Sequence, residues 1–459
     1  MSTSLSRRRF LELSTAASGA ALAGCATTGS LVTPGKLRHA GIGVGGMGEA
    51  DLREIASHPE VEIVALCDVD ENHLNAAAER YPNAKLFRDW RELFAQDSDL
   101  FDSVSVTIPD HMHAPVLERA LAQRKHCYGQ KPLTRTVAES RRIARAARKA
   151  NVVTQMGIQN HSNAPYTQCF ELFHQGHVGK VYEVHVWSDR PAGWWPQGVD
   201  RPEGEDEVPE TLDWDLWLGV APWRPYKKGQ YHPFSWRGWK DFGTGAQGDM
   251  GCHLMDPALW FLELGQPLRL RSDGEVPNAE SYPLTTRVDY EFPATRHTTA
   301  GPLRFTWHDG GKHAYREILE EIGADVWIPA TNEEGEPNEA AGELRGEWRN
   351  ACLFLGTEGA MLMSPYQAPQ VLRKDGVEVA IPEVETRSHW HTFVDACRGQ
   401  AIANAPFDYA ATLSEVVLLG NVALHFPHET LEWNGKRMRF EGRKEANAYL
   451  DAPYREGWA

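Results

Sequence analysis

The 459-residue chain has no C-x-x-C motif, no excess of positive charge and no long apolar run at its start. None of its seven cysteines forms a C-x-x-C pair, and several lie in apolar, strand-like runs. They are therefore typical of small buried hydrophobes rather than of a disulfide framework or a zinc site. A formal net charge of −16 argues against nucleic acid or an anionic membrane surface as a partner. What the chain does have is 42% hydrophobic residues, enough to bury one or two sizeable cores.

The beginning of the chain is typical of an export signal. Residues 6–11 (S-R-R-R-F-L) resemble the twin-arginine motif, although Glu12 stands where a lysine is usual. The weakly apolar run at residues 13–23 is too short to span a bilayer. It leads into L-A-G-C, which resembles a lipoprotein signal-peptidase box and predicts lipidation at Cys25; the alternative is a plain export signal with an incidental cysteine. We expect a signal at residues 1–24, a linker at 25–35, and a periplasmic protein whose only membrane contact is a lipid anchor.

A glycine-rich turn lies between a short apolar run and a helical pattern at residues 37–48 (L-R-H-A-G-I-G-V-G-G-M-G). Gly43, Gly45 and Gly48 occupy the positions of the G-x-G-x-x-G fingerprint. The first permits a tight turn, the second lets the backbone approach a pyrophosphate, and the third lets the helix pack on the strand. We expect the intervening Gly46 and Met47 to contact the same dinucleotide.

Asp68 closes the next strand pattern, residues 61–66, at about the distance from the glycine turn at which a carboxylate reaches the ribose hydroxyls of NAD. The residues that follow are Val-Asp-Glu. An NADP 2′-phosphate would favour an arginine there, so NAD is predicted over NADP. The alternative is a glycine turn beside a solvated aspartate, which leaves the agreement of all three elements unexplained.

Strands and helices alternate as far as residue 157, which predicts a doubly wound parallel sheet of the Rossmann type over residues 36–157. From residue 158 the rhythm changes, and residues 181–187 alternate like an antiparallel strand with one wet face. Residues 188–245 read as a long loop region rich in proline, glycine and aromatics, and residues 332–346 as an acidic, solvated loop.

Four motifs together resemble the glucose–fructose oxidoreductase/inositol dehydrogenase (Gfo/Idh/MocA) family: the glycine turn, Asp68, Pro109-x-x-x-His113 and Gln130-Lys131-Pro132. That family usually has Glu-Lys-Pro at the last motif, so Gln130 is a departure. The resemblance implies that Pro109, His113, Gln130 and Lys131 lie at the cofactor. It also implies an α/β second domain over residues 158–459, built on a large open mixed or antiparallel sheet through which the family often forms homo-oligomers.

Asp249, His253 and Asp256 are spaced to share one face of a helix predicted to end near Leu264. Such spacing lets a carboxylate orient an imidazole and hold its tautomer. Asp249-x-x-x-His253 also matches the catalytic Asp and His of the family, and Lys131 matches its lysine. We expect His253 to take the proton of a substrate hydroxyl, Lys131 to stabilise the developing alkoxide, and Asp249 to orient the substrate.

Substrate contacts are predicted on both sides of that helix. Gln159, Asn160 and His161 follow the last Rossmann strand, Asp256 follows His253, and the tryptophan-rich loop supplies Arg190 and Trp236. Indole rings beside charged groups suit a carbohydrate surface, although packing explains any single tryptophan better. One alternative is a metal site at Asp249 and His253, but no H-E-x-x-H or Cys/His cluster accompanies them, so no metal is predicted. The other is a capping aspartate beside a satisfied histidine.

The leading hypothesis is an NAD-dependent oxidoreductase that acts on a secondary hydroxyl of a sugar or glycoside. Because the periplasm offers no dependable pool of free NAD, we expect a tightly held cofactor that is reduced and reoxidised within one cycle. One alternative is a redox-assisted glycoside hydrolase or lyase of the same fold, in which transient oxidation of the sugar precedes elimination. The other is a catalytically silent sugar-binding lipoprotein, against which the joint presence of Lys131, Asp249 and His253 argues.

Overall fold

The structure, a computed structural model, describes residues 35–311 and 346–458. The predicted signal, Cys25, nearly all of the linker and most of the acidic loop lie outside the described residues, so the expectations for them stay predictions. No helix of the described part of the chain is both long and apolar enough to cross a membrane.

The first sheet has six parallel strands in the order β3-β2-β1-β4-β5-β6, which is the predicted doubly wound Rossmann arrangement. The strand order reverses between β1 and β4, and ligands of such sheets bind outside the carboxyl ends of the strands at that point. The strands are β1 Leu37–Ile42, β2 Val61–Cys67, β3 Lys85–Phe87, β4 Ser103–Val106, β5 His126–Gly129 and β6 Thr154–Met156. The helices are α1 Met47–Ala56, α2 Glu71–Arg80, α3 Trp90–Gln96, α4 His113–Ala122 and α5 Val137–Ala150.

The second sheet has nine strands in the order β13-β12-β11-β7-β10-β9-β8-β14-β15, and it is mixed because only β7 and β10 pair in parallel. The predicted fold class is confirmed in both sheets. The strands are β7 Val181–Trp187, β8 Arg269–Gly274, β9 Thr286–Phe292, β10 Leu303–His308, β11 Ala351–Gly356, β12 Gly359–Ser364, β13 Gln367–Arg373, β14 Thr430–Asn434 and β15 Arg439–Glu441. The helices are α6 Ala164–His174, α7 Trp214–Leu218, α8 Gly245–Leu254, α9 Asp256–Phe261, α10 His389–Cys397 and α11 Phe407–Ala423.

Helix α11 joins the two sheets. It is apolar around most of its circumference and buried along most of its length, as a helix enclosed by protein must be. It packs on α5 of the first domain and on α8 of the second. At Gly420 a side chain would collide with Gln247, so glycine permits the close approach of α11 to α8. Helix α11 therefore fixes the dinucleotide domain against the helix that carries Asp249 and His253.

The long segment between β7 and α8 has a core of its own. Within it, residues 206–242, which we term the aromatic insert, enclose ten buried side chains, namely Leu212, Trp214, Trp217, Leu218, Ala221, Tyr226, Tyr231, Trp236, Trp239 and Phe242. Of the eight tryptophans between residues 187 and 239, six are buried, and only Trp194 and Trp223 are exposed. Packing therefore accounts for most of the indoles that the sequence suggested as a carbohydrate surface.

Candidate active site

The turn after β1 is tight on one side and open on the other. Gly43 has a φ of 77°, and a Cβ there would collide with Thr107 O. A Cβ on Gly48 would collide with the carbonyl of Gly43, so glycine is required at both positions. Gly46, in contrast, has a φ of 54° and would place a Cβ in open space, and the neighbouring Met47 is 38% exposed. This open side of the turn leaves backbone accessible to a diphosphate, so the local geometry fits a dinucleotide.

Asp68 lies directly beside this turn. Its carboxylate accepts hydrogen bonds from Val44 N at 2.9 Å and from Asp70 N at 3.0 Å. His73 Nδ1 lies 3.7 Å from Asp68 Oδ2, and its ring covers Gly45, where a Cβ would collide with it. An ionised carboxylate has lone pairs for about four hydrogen bonds, so Asp68 keeps acceptor capacity for the hydroxyls of a ribose.

Lys131 and Asp249 meet across the domain boundary. Lys131 Nζ, which follows β5, donates to Asp249 Oδ1 at 2.7 Å and to the carbonyl oxygen of Asp249 at 2.8 Å. Arg237 Nε lies 3.2 Å from the same Oδ1. Burial alone would raise the pKa of Asp249, but the two cations outweigh it and hold that pKa well below the usual carboxyl range. Asp249 is thus a fixed anion between two cations, and it pairs with them rather than orienting His253 as the sequence suggested.

His253 is buried one helical turn further along α8. Burial, followed by the charge of Lys131, lowers the pKa of His253 to about 3, so the imidazole is neutral near pH 7. Asn160 Nδ2 lies 3.3 Å from His253 Nδ1, and Tyr166 donates its hydroxyl to the backbone carbonyl of His253. The partner that orients the ring is therefore Asn160, one of the three residues predicted to line the cleft after β6.

Two models of one oxidoreductase family match the chain. The model of the NAD-binding Rossmann fold of the Gfo/Idh/MocA family matches residues 37–158, and the model of its C-terminal alpha/beta domain matches residues 173–295. Together the two matches span just over half of the chain. The chain belongs to the Gfo/Idh/MocA oxidoreductase family. Its first domain is accordingly an NAD-binding Rossmann domain, and the cofactor predicted from the glycine turn and Asp68 is confirmed.

Members of the family and solved structures resemble this Gfo/Idh/MocA protein to different extents. Inositol 2-dehydrogenase of Salmonella typhimurium is 31% identical over 147 residues, which cover 31% of this chain and 43% of the dehydrogenase. The chain thus matches less than half the length of that relative.

Two solved structures match over most of the chain. The WlbA dehydrogenase of Bordetella pertussis, in complex with NADH and UDP-GlcNAcA, has a TM-score of 0.60 and 15% identity, and the match covers 88% of this chain and 99% of that one. Aldose–aldose oxidoreductase of Caulobacter crescentus has a TM-score of 0.57 and 15% identity, with 87% and 100% covered. At these identities the two structures establish a shared fold.

The departure of this Gfo/Idh/MocA protein from Glu-Lys-Pro has a local cause. Gln130 Nε2 donates to Asp51 Oδ2 at 2.8 Å, and its Oε1 accepts from Lys131 N at 3.0 Å. Asp51 also accepts from Thr107 and Trp390, and burial raises the pKa of this carboxyl group to about 6. A glutamate at position 130 would place a second carboxylate against Asp51 in the interior. Gln130 therefore supports Lys131 from behind and faces α1 rather than the open side of the turn.

His113 also supports the site from inside the protein. Its Nδ1 lies 2.8 Å from Pro132 O and its Nε2 lies 2.7 Å from Ile108 O, so both ring nitrogens are engaged by backbone carbonyls. Burial lowers the pKa of His113 to about 4. The ring ties the Pro109 loop to the Lys131 loop, so His113 holds two loops of the predicted cofactor site in place.

Asp256 and His161, both predicted from the sequence as substrate contacts, form a buried pair. Asp256 is fully buried, with Oδ2 2.8 Å from His161 Nδ1 and Oδ1 accepting from the hydroxyl of Tyr409. The ring of His161 stacks on Trp260 with centroids 3.9 Å apart. Helices α8 and α9 are separated only by Met255, which has helical dihedrals; its amide donates to Gly251 O and its carbonyl accepts from Leu259 N, so the helical path continues through this residue. Asp256 nevertheless pairs with His161 and Tyr409 rather than with His253.

Three other predicted residues remain near the cleft. The Arg190 guanidinium stacks on Trp194 at 3.2 Å, and its Nε is buried without a hydrogen-bond partner among the residues described. Trp236 is buried beneath Arg237, whose guanidinium lies 4.4 Å from the indole centroid. Gln159 begins the short turn Gln159–Ser162 that carries Asn160. Arg237 was missed from the sequence, where no motif distinguishes it from the other arginines.

Within residues 35–311 and 346–458, the one group of three ligand atoms close enough to share a metal ion belongs to Asp70, His73 and His232, beside the glycine turn.

Proposed function

We propose that this protein is an NAD-dependent oxidoreductase that acts on a secondary hydroxyl of a sugar or glycoside. The observation that carries the proposal is the pair of Lys131 and Asp249, joined across the two domains by contacts of 2.7 and 2.8 Å, with neutral His253 one helical turn further along α8. Lys131 follows β5 and the glycine turn follows β1, so both lie at the carboxyl edge of the same parallel sheet. The inositol and sugar substrates named for relatives support the substrate class.

In the proposed reaction His253 accepts the proton of the substrate hydroxyl through Nε2. Bound NAD supplies the acceptor for the hydride that leaves the carbinol carbon. A neutral imidazole has one ring proton, so a base at Nε2 requires that proton on Nδ1. Asn160 must then present its amide oxygen to Nδ1. In the structure its Nδ2 lies 3.3 Å from Nδ1, and a half-turn of the amide group exchanges the nitrogen for the oxygen. Lys131 stabilises the developing alkoxide, and Asp249 holds the lysine in place.

Substrate positioning falls to Arg190, Arg237 and Gln159. The buried Nε of Arg190 is a donor that a sugar oxygen would satisfy, and a buried donor left without a partner is costly. Arg237 is held in one position by Asp249 and by the ring of Trp236, so its remaining N–H donors have a fixed orientation. These groups suit hydroxyl and ring oxygens of a carbohydrate.

We further propose export by the twin-arginine route, a lipid anchor at Cys25, homo-oligomerisation through the nine-stranded sheet, and a cofactor that is retained between turnovers. Twin-arginine export carries folded proteins, so NAD can enter the protein before export. The full cycle is then redox-neutral, because the hydride returns to the same sugar or to a second one.

The test is to purify the protein from the periplasm without added NAD and to quantify the nicotinamide that denaturation releases. The same preparation is incubated with a panel of sugars and glycosides, with and without added NAD. We expect bound cofactor and oxidised or rearranged sugar without external NAD. A cleaved glycoside would favour redox-assisted hydrolysis, and dependence on stoichiometric external NAD would favour a conventional dehydrogenase. Lys131→Ala must abolish product, and Lys85→Ala, which removes an exposed ion pair with Asp97, must not.

A further inference from the structure

The aromatic insert is attached to the carboxyl end of β2, directly after Asp68. The Glu71 amide donates to Thr211 O at 2.9 Å, and the Asp213 amide donates to Val69 O at 3.0 Å. Between these two bonds Asp70 and Leu212 form an antiparallel bridge. The insert therefore pairs by backbone with the loop that carries Asp68, although the two segments are far apart in the sequence.

Side chains strengthen this attachment. His232 Nε2, from the insert, lies 2.9 Å from Asp70 Oδ2. Asn72 Nδ2 donates to Thr211 Oγ1 at 3.0 Å. Val69 packs against the buried aromatic cluster of the insert. The contacts span both ends of the insert's sequence, so the whole segment is fixed to the rim of the first sheet.

The loop after β4 holds the insert from the other side. The amide of His111 donates to Phe242 O at 3.2 Å, and the ring of His111 contacts the carbonyl oxygens of Trp217 and Leu218 at 3.2 and 3.1 Å. Strands β2 and β4 flank β1, which leads into the glycine turn. The insert is thus anchored on both sides of the place where a dinucleotide enters the domain.

His73 connects the insert to the glycine turn itself. Its ring covers Gly45, its Nδ1 lies 3.7 Å from Asp68 Oδ2, and its centroid lies 5.5 Å from that of His232. His73 is about 30% exposed and His232 about 14% exposed. Two imidazoles and two carboxylates therefore line one small space beside the residue predicted to bind the cofactor's ribose.

We infer that the aromatic insert forms the outer wall of the adenosine-ribose part of the cofactor site, with His73 and His232 as direct contacts of the ligand. This inference rests on NAD binding, one part of the proposed function, and not on turnover. The ligand lies between the glycine turn and a segment that has its own core and is bonded at two strand ends. His73 and His232 then hold the bound ligand by direct contacts, and the loss of such a contact appears mainly in the dissociation rate.

The experiment compares two fragments of the cofactor as separate probes, of which only ADP-ribose contains the adenosine part. ADP-ribose and nicotinamide mononucleotide are titrated into the cofactor-free protein, and dissociation is followed by intrinsic tryptophan fluorescence. His232→Ala should release ADP-ribose about tenfold faster, because one lost hydrogen bond changes a binding equilibrium by about a factor of ten. The dissociation rate of nicotinamide mononucleotide should stay unchanged. The matched control is His428→Ala, which removes an exposed histidine 2.7 Å from Asp273 on the second sheet.

Several outcomes would overturn the inference. Equal effects of His232→Ala on both probes, or none on ADP-ribose, would place the insert away from the adenosine half. Stoichiometric, tight binding of Zn²⁺ that His232→Ala removes would assign Asp70, His73 and His232 to a metal site instead. If His232→Ala fails to fold, Asp70→Asn replaces it, because asparagine keeps the oxygen that accepts from Asn72 N while weakening the contact with His232. No turnover of any sugar by the unchanged protein, together with tenfold faster ADP-ribose release in His232→Ala, would count against the proposed function and leave the inference standing.

Discussion

The glycine turn and the aromatic insert lie at the same edge of the first sheet, but different forces shape them. At the turn, the collisions that a Cβ on Gly43 or Gly48 would cause involve atoms of the turn itself or of the neighbouring strand end. In the insert, ten buried side chains that span some thirty residues pack on one another and on a loop near residue 70. Steric requirements within a short segment can be predicted from a sequence motif, whereas packing between segments that are distant in the sequence cannot.

The largest expected effect is on turnover, and it comes from Lys131 and His253 at the boundary of the two domains. Lys131→Ala or His253→Ala should lower kcat by about 100- to 10,000-fold, the usual cost of removing an acid–base group, while NAD stays bound. Steady-state kinetics and nicotinamide quantification measure the two properties separately. A near-normal rate in either variant would contradict the assigned roles.

Trp239→Ala should break the insert more than any change on its surface. The fully buried Trp239 donates Nε1–H to Gln230 O at 2.7 Å, and truncation of such a side chain costs about 3–5 kcal/mol. Trp223→Ala is the matched control, because Trp223 is 64% exposed and its loss should change stability by less than about 0.5 kcal/mol. Hydrogen exchange of the insert amides would report the local loss. Equal protection in both variants would mean that the cluster does not stabilise the insert.

A pair of glycine variants sharpens the description of the turn. Gly48→Ala forces a collision with the Gly43 carbonyl and should destabilise the domain by about 1–3 kcal/mol even without cofactor. Gly46→Ala meets no protein atom within 4 Å and carries the backbone strain of a φ of 54° with a ψ of −116°, about 1–3 kcal/mol, but its methyl group enters the open side of the turn. We expect Gly46→Ala to weaken NAD binding out of proportion to stability, as calorimetric titration beside urea unfolding would reveal.

The last variant changes the support behind Lys131, and its expected cost at pH 7 is comparable with that of Gly48→Ala. Gln130→Glu should cost about 1–3 kcal/mol at pH 7, because two carboxylates would share one buried contact. The raised pKa of Asp51, about 6, means that proton uptake favours the folded state, so the deficit should shrink as the pH falls from 7 through 6. Asp51→Asn in the same chain should restore stability. A deficit that persists in the double variant would point to shape rather than charge.

Much of the fold was predictable because each domain has a strong local pattern. Alternating strands and helices gave the parallel sheet, and the glycine turn with Asp68 gave the cofactor. The hydrogen-bond and ion-pair partners of the site residues were less predictable. The spacing of Asp249 and His253 suggested a direct pair, but Lys131 and Arg237 attract the carboxylate more strongly because they are cations.

Other departures share the same cause. Asp256 is spaced to join His253 on one helix face, yet its carboxylate pairs with His161 and Tyr409, which lie on distant segments of the chain. Gln130 differs from the family pattern because Asp51, distant in sequence, already supplies the buried carboxylate. A side chain that pairs with a residue far away in the sequence cannot be recognised from a single motif.

Helix α11 also sets the order in which the site can be built during synthesis. Ser414 in α11 accepts a hydrogen bond from Leu133 N at 3.0 Å, two residues from Lys131, while α8, which carries Asp249 and His253, packs on the same helix. Translation proceeds at about 5–20 residues per second, and domains generally fold from the N-terminus as they emerge. The glycine turn and its strands are complete long before residue 407 is made, yet the support that α11 gives to both halves of the site is missing until α11 has left the ribosome. The site is therefore completed late in synthesis, whereas the dinucleotide domain is available for most of the time that the chain is being made.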